Sequence, residues 1–210
     1  MTKEIILGIT GASGTPIATA LLAQLLASGC KVHLVFTTAG IITFKEEMKY
    51  SLSANPTLCK QILIDKLQLN NCDNLHIYTN NDWFSPIASG SSAPDAMVIC
   101  PCSMATLGKV ANGIGDDLLT RAADVILKER KNLVVVPRET PFSAIHLDNM
   151  LTLAKLGVSV LPPVVAFYTQ PQSVNDIILF IVSRILDQLR VNNQLFTRWG
   201  EKLLKENGNE

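Results

Sequence analysis

Apolar residues fall into two kinds of run along this chain. Glu4 to Ile9, Val32 to Thr37, Leu75 to Tyr78, Ala96 to Cys100, Leu133 to Val136 and Val158 to Leu161 are short blocks rich in β-branched residues. Blocks of four to six such residues predict strands, and being apolar throughout they predict strands covered on both faces. Between them, apolar positions recur at helical spacing over Thr15 to Ala27, residues 40 to 50, Lys60 to Leu69, Ser103 to Ala111, Asp116 to Arg130, Ser143 to Leu156 and Ser173 to Leu189. Ser28-Gly29 closes the first helix, as a C-terminal glycine should. Asn80 to Pro94, with two prolines, a glycine and several serines, reads as loop. The alternation predicts an α/β fold in three layers, an open and mostly parallel sheet of the Rossmann-like or flavodoxin-like kind with helices on both faces. No repeat or linker divides it, so residues 1–190 read as one domain. Residues 191–210 read as an amphipathic tail, charged at its end and expected to pack on a neighbouring subunit.

Composition narrows the function classes. The 18 basic residues balance the 18 acidic ones. A nucleic-acid footprint would need a basic excess on one face, so none is expected. The five cysteines are odd in number and form no CxxC pair. Cys100 and Cys102 flank Pro101 with no further Cys or His at zinc-ligand spacing, and His33, His76 and His146 are scattered. Reduced thiols and no metal site are expected. The N-terminal apolar run is too short for a signal segment or a membrane span and leads into a glycine turn. A cytoplasmic location is the expectation.

Open parallel sheets bind ligands beyond the carboxyl ends of their strands. Gly11-Ala12-Ser13-Gly14 follows the first strand and opens a helix, where backbone N–H groups and the helix dipole favour an anion. It is neither GxGxxG nor a P-loop, and an empty tight turn fits the residues nearly as well. Ser103-Met104-Ala105-Thr106 repeats the logic after the Ala96 strand, either as a helix cap or as a second set of donors. Arg138-Glu139 follows the Leu133 strand, where a carboxylate beside a guanidinium serves proton transfer or a structural ion pair. Arg121 and Lys128, seven apart, share a helix face. That face points at one anion, or is a solvated face with pairs such as Asp124 with Lys128. Trp83 lies in the loop, as a packing residue or as a ring that stabilises a cation.

Taken together and in order, GITGASG (8–14), ASGS (88–91), AMVICPCSMATL (96–107), LLTRAADVILKER (118–130), LVVVPRETPFSAIHLDNM (133–150), PPVVAFYTQPQS (162–173) and the Arg184 helix resemble the UbiX family of flavin prenyltransferases. The resemblance implies FMN as cofactor and substrate. It implies transfer of a dimethylallyl group from dimethylallyl phosphate to N5 and C6 of reduced FMN, without a metal, giving prenylated FMN for UbiD-type decarboxylases. By position it assigns Gly11, Ala12, Ser13, Thr37, Ser103, Met104, Ala105, Thr106 and Arg138 to FMN. Thr37 stands where the family usually has Ser, and Thr38 where Lys is common. Tyr168, Arg184, Lys128, Arg121, Ser89 and Gly90 fall to the prenyl phosphate, Arg121 and Lys128 being supplied by a neighbouring subunit. Glu139, Trp83 and Ser13 take catalytic roles, Trp83 beside the allyl cation and Glu139 in proton transfer. A homo-oligomer is implied, a dodecamer being one form. Two other readings are a flavin-dependent decarboxylase of the cysteine-decarboxylase group and a non-catalytic FMN carrier. The first lacks its expected His after the second strand, and the second leaves Glu139, Trp83, Lys128 and Arg184 without a purpose.

Overall fold

The computed structural model describes residues 2–196, so the tail beyond 196 lies outside the described residues. Six strands form one sheet: β1 (Glu4–Ile9), β2 (Lys31–Phe36), β3 (Leu75–Tyr78), β4 (Ala96–Cys102), β5 (Asn132–Pro137) and β6 (Ser159–Val160). All pairs are parallel, and the order is β3-β2-β1-β4-β5-β6. Side chains alternate between faces along each strand. Ile5, Leu7 and Ile9 pack with α1 (Thr15–Ala27), α2 (Thr38–Met48), α3 (Pro56–Leu67) and α7 (Val174–Gln188). Ile6, Met97, Ile99 and Val135 pack with α4 (Met104–Ala111), α5 (Leu118–Lys128) and α6 (Ala144–Lys155). Gly8 also faces α5, where a Cβ would meet Leu119 Cδ1 at 2.9 Å. The three-layer α/β expectation therefore holds, and the sheet is parallel throughout.

Most differences from the predicted boundaries come from caps. Thr37 is not the end of a strand but the N-cap of α2, its hydroxyl accepting the Gly40 N–H. Ser103, Asp117, Ser143 and Ser173 likewise cap α4, α5, α6 and α7 from just outside. The helix predicted from Lys60 begins at Pro56, because Asn55 accepts the Thr57 and Leu58 N–H groups and Pro56 fits the first turn. β4 runs two residues beyond its predicted end, through a cis Cys100–Pro101 bond and a register shift against β5 between Ile99 and Cys102. β6 is only Ser159–Val160.

From β1 the chain winds to β2 and β3 on one side, and from β4 to β5 and β6 on the other. The reversal lies between β1 and β4, where open α/β sheets have their binding crevice. The regular β1–β4 ladder ends at Gly8 opposite Ile99, so the two strand ends beyond it flank that crevice.

Candidate active site

The first turn after β1 is packed tightly onto α2. A Cβ on Gly11 would meet Ala39 Cβ at 2.5 Å, and one on Gly40 would meet the Ile9 carbonyl oxygen at 2.4 Å. Thr43 Oγ1 donates to the Gly11 carbonyl at 3.2 Å. Glu47, from the far end of α2, accepts the N–H groups of Gly14 at 3.1 Å and Thr15 at 2.7 Å. α1 has no cap from its own Gly14, so Glu47 supplies one. Burial raises the Glu47 carboxyl, but hydrogen bonds from the Ser13 side chain, Gly14 and Thr15 outweigh it and hold it below its ordinary value. Pro16 has no N–H and Ile17 N–H goes to the Gly14 carbonyl. The start of α1, expected from the sequence to hold an external anion, therefore already holds a carboxylate. Sequence reasoning missed Glu47, because nothing in a lysine- and glutamate-rich helix end signals a contact 32 residues away.

The second turn follows β4. Buried Thr10 bridges to it: Oγ1 donates to the Pro101 carbonyl at 2.8 Å and accepts the Ser103 N–H at 2.7 Å. Ser103 Oγ in turn accepts the Thr106 N–H at 3.3 Å and lies 3.0 Å from Thr106 Oγ1. The Met104 and Ala105 N–H groups have no acceptor among the described residues. Unlike α1, α4 thus offers open donors at its positive end. Thr10 was also missed, though its signal lies in plain view inside the glycine motif.

The third turn follows β5. Arg138 Nε donates to the Ser13 carbonyl at 3.3 Å, and Arg138 N–H to the Cys102 carbonyl at 3.2 Å. Arg138 thereby joins all three turns. Glu139 is half-buried and accepts the Thr140 N–H at 3.0 Å. No ion pair joins it to Arg138 among the described residues, so the structural-pair alternative fails. Hydroxyls of Ser103 and Thr106, the Arg138 guanidinium and the open α4 N–H groups form a donor set suited to an anion such as a phosphate, while the Thr37 hydroxyl is engaged in capping α2. Among the described residues no group of three or more His, Cys, Asp and Glu could hold a metal ion.

Of the remaining predicted residues, Lys128 does not gather there. α5 starts beside Asn80, whose carbonyl accepts the Leu118 N–H at 2.9 Å, and runs back toward the start of β5. Lys128 therefore lies at the opposite end of the sheet, paired with Glu129 and beside Gly90, where a Cβ would meet Lys128 Nζ at 2.6 Å. Arg121 Nε donates to the Ala88 carbonyl at 3.2 Å, and its Nη1 to Asp124 at 2.8 Å. The suggested Asp124–Lys128 pair is thus replaced by Asp124–Arg121 and Lys128–Glu129. Ser89 bonds Ser91 in the same loop. Trp83, in a turn after β3, is 47% exposed beside a fully exposed Phe84. Tyr168 stands edge-on to Phe180 at 6.2 Å, and Arg184 on the same helix as Phe180 donates to Asp187 at 2.7 Å. The chain thus carries one convergent set at the strand ends, with Lys128 at the far end of the sheet.

Comparison with known proteins follows the same outline. A family model described as Flavoprotein matches residues 1–186. The chain is 45% identical over 202 residues to the flavin prenyltransferase UbiX of Pseudomonas aeruginosa, with 96% of each chain covered. The crystal structure of AnUbiX in complex with FMN and dimethylallyl pyrophosphate superposes with a TM-score of 0.83 at 36% identity, covering 95% of this chain and 98% of that one. A dodecameric FMN-dependent UbiX-like decarboxylase from Escherichia coli O157:H7 gives a TM-score of 0.81 at 38% identity, covering 93% and 98%.

Proposed function

The chain belongs to the flavoprotein family, among its UbiX flavin prenyltransferases, and we propose from that premise how its own residues divide the work of prenylating FMN. The observation that carries the proposal is the convergence of three strand-end turns through Thr10–Ser103 and Arg138–Ser13. Thr37, Ser103, Met104, Ala105, Thr106 and Arg138 hold the FMN phosphate, with Gly11 to Ser13 lining the crevice. When bound, reduced FMN supplies the nucleophilic ring atoms that accept the dimethylallyl group. Tyr168, Arg184, Arg121 and Lys128 hold the phosphate of the prenyl donor and stabilise its charge as it leaves. The Trp83 face attracts the allyl fragment once it turns cationic. Glu139 accepts the proton released when the second carbon bond closes the new ring.

Lys128 and the neighbouring Gly90 lie away from the crevice of their own protomer, so with Arg121 and Ser89 they serve the crevice of a neighbour in a homo-oligomer. Exposed Ile145, Leu147 and Leu151 on α6 supply apolar area for such contacts. No helix among the described residues is long and apolar enough to cross a membrane. A cytoplasmic site of action, with a UbiD-type decarboxylase receiving the product, completes the proposal. The test is incubation of the purified protein with reduced FMN and dimethylallyl phosphate, read by mass spectrometry. A flavin carrying one added five-carbon unit is expected. Unchanged FMN, or decarboxylation of a cysteine-terminated peptide instead, would overturn the reading.

A further inference from the structure

We propose that Thr10 is a positioning residue, whose buried hydroxyl fixes the separation of the two turns that flank the crevice. The inference rests on the flavin reading above and concerns how the crevice is held open at one width. The regular β1–β4 ladder stops at Gly8 opposite Ile99, and β4 then shifts register against β5. Beyond that point the strand ends are no longer tied by continuous pairing. Thr10 provides the tie. Its N–H reaches the Pro101 carbonyl at 3.3 Å, its Oγ1 donates to the same carbonyl at 2.8 Å, and Oγ1 also accepts the Ser103 N–H at 2.7 Å.

Thr10 is 1% exposed and its hydroxyl already both donates and accepts, so it acts on a ligand only through its partners. Those partners are well placed for that. Gly11 follows Thr10 directly on one side. On the other, Ser103 caps α4 and fixes where the open Met104 and Ala105 N–H groups lie. Valine has nearly the shape of threonine but neither donates nor accepts. At position 10 it would leave the Ser103 N–H without a buried partner, a situation relieved only if the start of α4 moves.

The variants are Thr10→Val and Thr10→Ser, compared with wild type for FMN affinity by flavin fluorescence and for alkylation rate across FMN concentrations. Thr10→Val should raise the FMN dissociation constant about tenfold, the loss expected for one well-placed hydrogen bond. The half-saturating FMN concentration should rise in step, and Thr10→Ser should restore both. Wild-type affinity in Thr10→Val, or Thr10→Ser binding as weakly as Thr10→Val, would overturn the assignment. Should Thr10→Val not fold, hydrogen exchange in the wild-type protein without FMN decides instead. The Ser103 N–H should exchange slowly, and fast exchange would sink the tie. Failure of the wild type itself to bind FMN would strike the flavin reading, while Ser103 protection would still report on Thr10.

Discussion

The Glu47 carboxylate accepts the Thr15 N–H at 2.7 Å, so the last turn of α2 caps the first turn of α1. A negative group at a helix N-terminus gains both hydrogen bonds and a favourable dipole. Glu47→Ala should therefore lower stability by about 1 kcal/mol at neutral pH, measured by urea unfolding. The Glu47 carboxyl is held below its ordinary value in the fold, so it stabilises the fold above the usual carboxylate range. Its contribution fades as pH falls through that lowered value. The gap between wild type and Glu47→Ala should close on acidification, and a gap independent of pH would mean the cap acts by packing alone.

On the proposed reading, the donors of α4 hold the FMN phosphate. Ser103→Ala combined with Thr106→Ala removes two hydroxyls from that end of the crevice. FMN affinity should fall about tenfold or more, while riboflavin, which lacks the phosphate, should bind as before. Calorimetry with both ligands tests this, and an equal loss for the two would place the phosphate elsewhere.

Glu139→Gln keeps the shape of a half-buried side chain and removes its charge. FMN should still bind, and formation of the four-ring product should slow by about 10²–10⁴-fold. Mass spectrometry of quenched reactions reads the step at which the variant stops. Wild-type turnover would assign the proton to another acceptor, the released phosphate being the first candidate.

Lys128 and Glu139 lie on different parts of one protomer, which makes complementation possible. Lys128→Ala and Glu139→Gln proteins should each be nearly inactive. Unfolded together and refolded as a mixed assembly, they should regain about a quarter of wild-type activity, since a random pairing of protomers joins two intact halves that often. A mixed assembly no better than its parents would mean that both residues act within one chain.

Trp83 and Arg184 should separate rate from binding. A desolvated cation–π contact is worth up to about 2 kcal/mol, so Trp83→Ala should slow alkylation at saturating donor by roughly thirtyfold. Arg184→Ala should instead raise the donor concentration needed. Single-turnover alkylation across donor concentrations distinguishes the two, and an unchanged saturated rate in Trp83→Ala would reduce Trp83 to packing.

The layers of the fold were readable because each strand is a compact apolar block and each helix keeps a helical period. Boundaries were less so, since residues such as Thr37 and Asn55 act through their side chains at a cap rather than through hydropathy. The convergent site was legible as far as it follows strand ends: Gly11 to Ser13, Ser103 to Thr106 and Arg138 all lie there. Glu47 was not, because its role depends on α2 folding back over α1. The separation of Lys128 from the crevice was equally invisible to residue spacing, which fixes only the shared helix face. It follows from the direction of α5, known once the sheet order is known.

Leu153 is the only buried side chain of α6, while Ile145, Leu147, Leu151 and Leu156 lie open. Only Leu153 and the half-buried Met150 tie this helix to the core, so it draws less free energy from its own domain than a helix with a full buried stripe. In the proposed homo-oligomer a neighbouring protomer would cover it, and dilution should then act on α6 much as denaturant does elsewhere. The melting temperature of such an assembly is a property of the solution as much as of the sequence, and should rise with protein concentration by mass action.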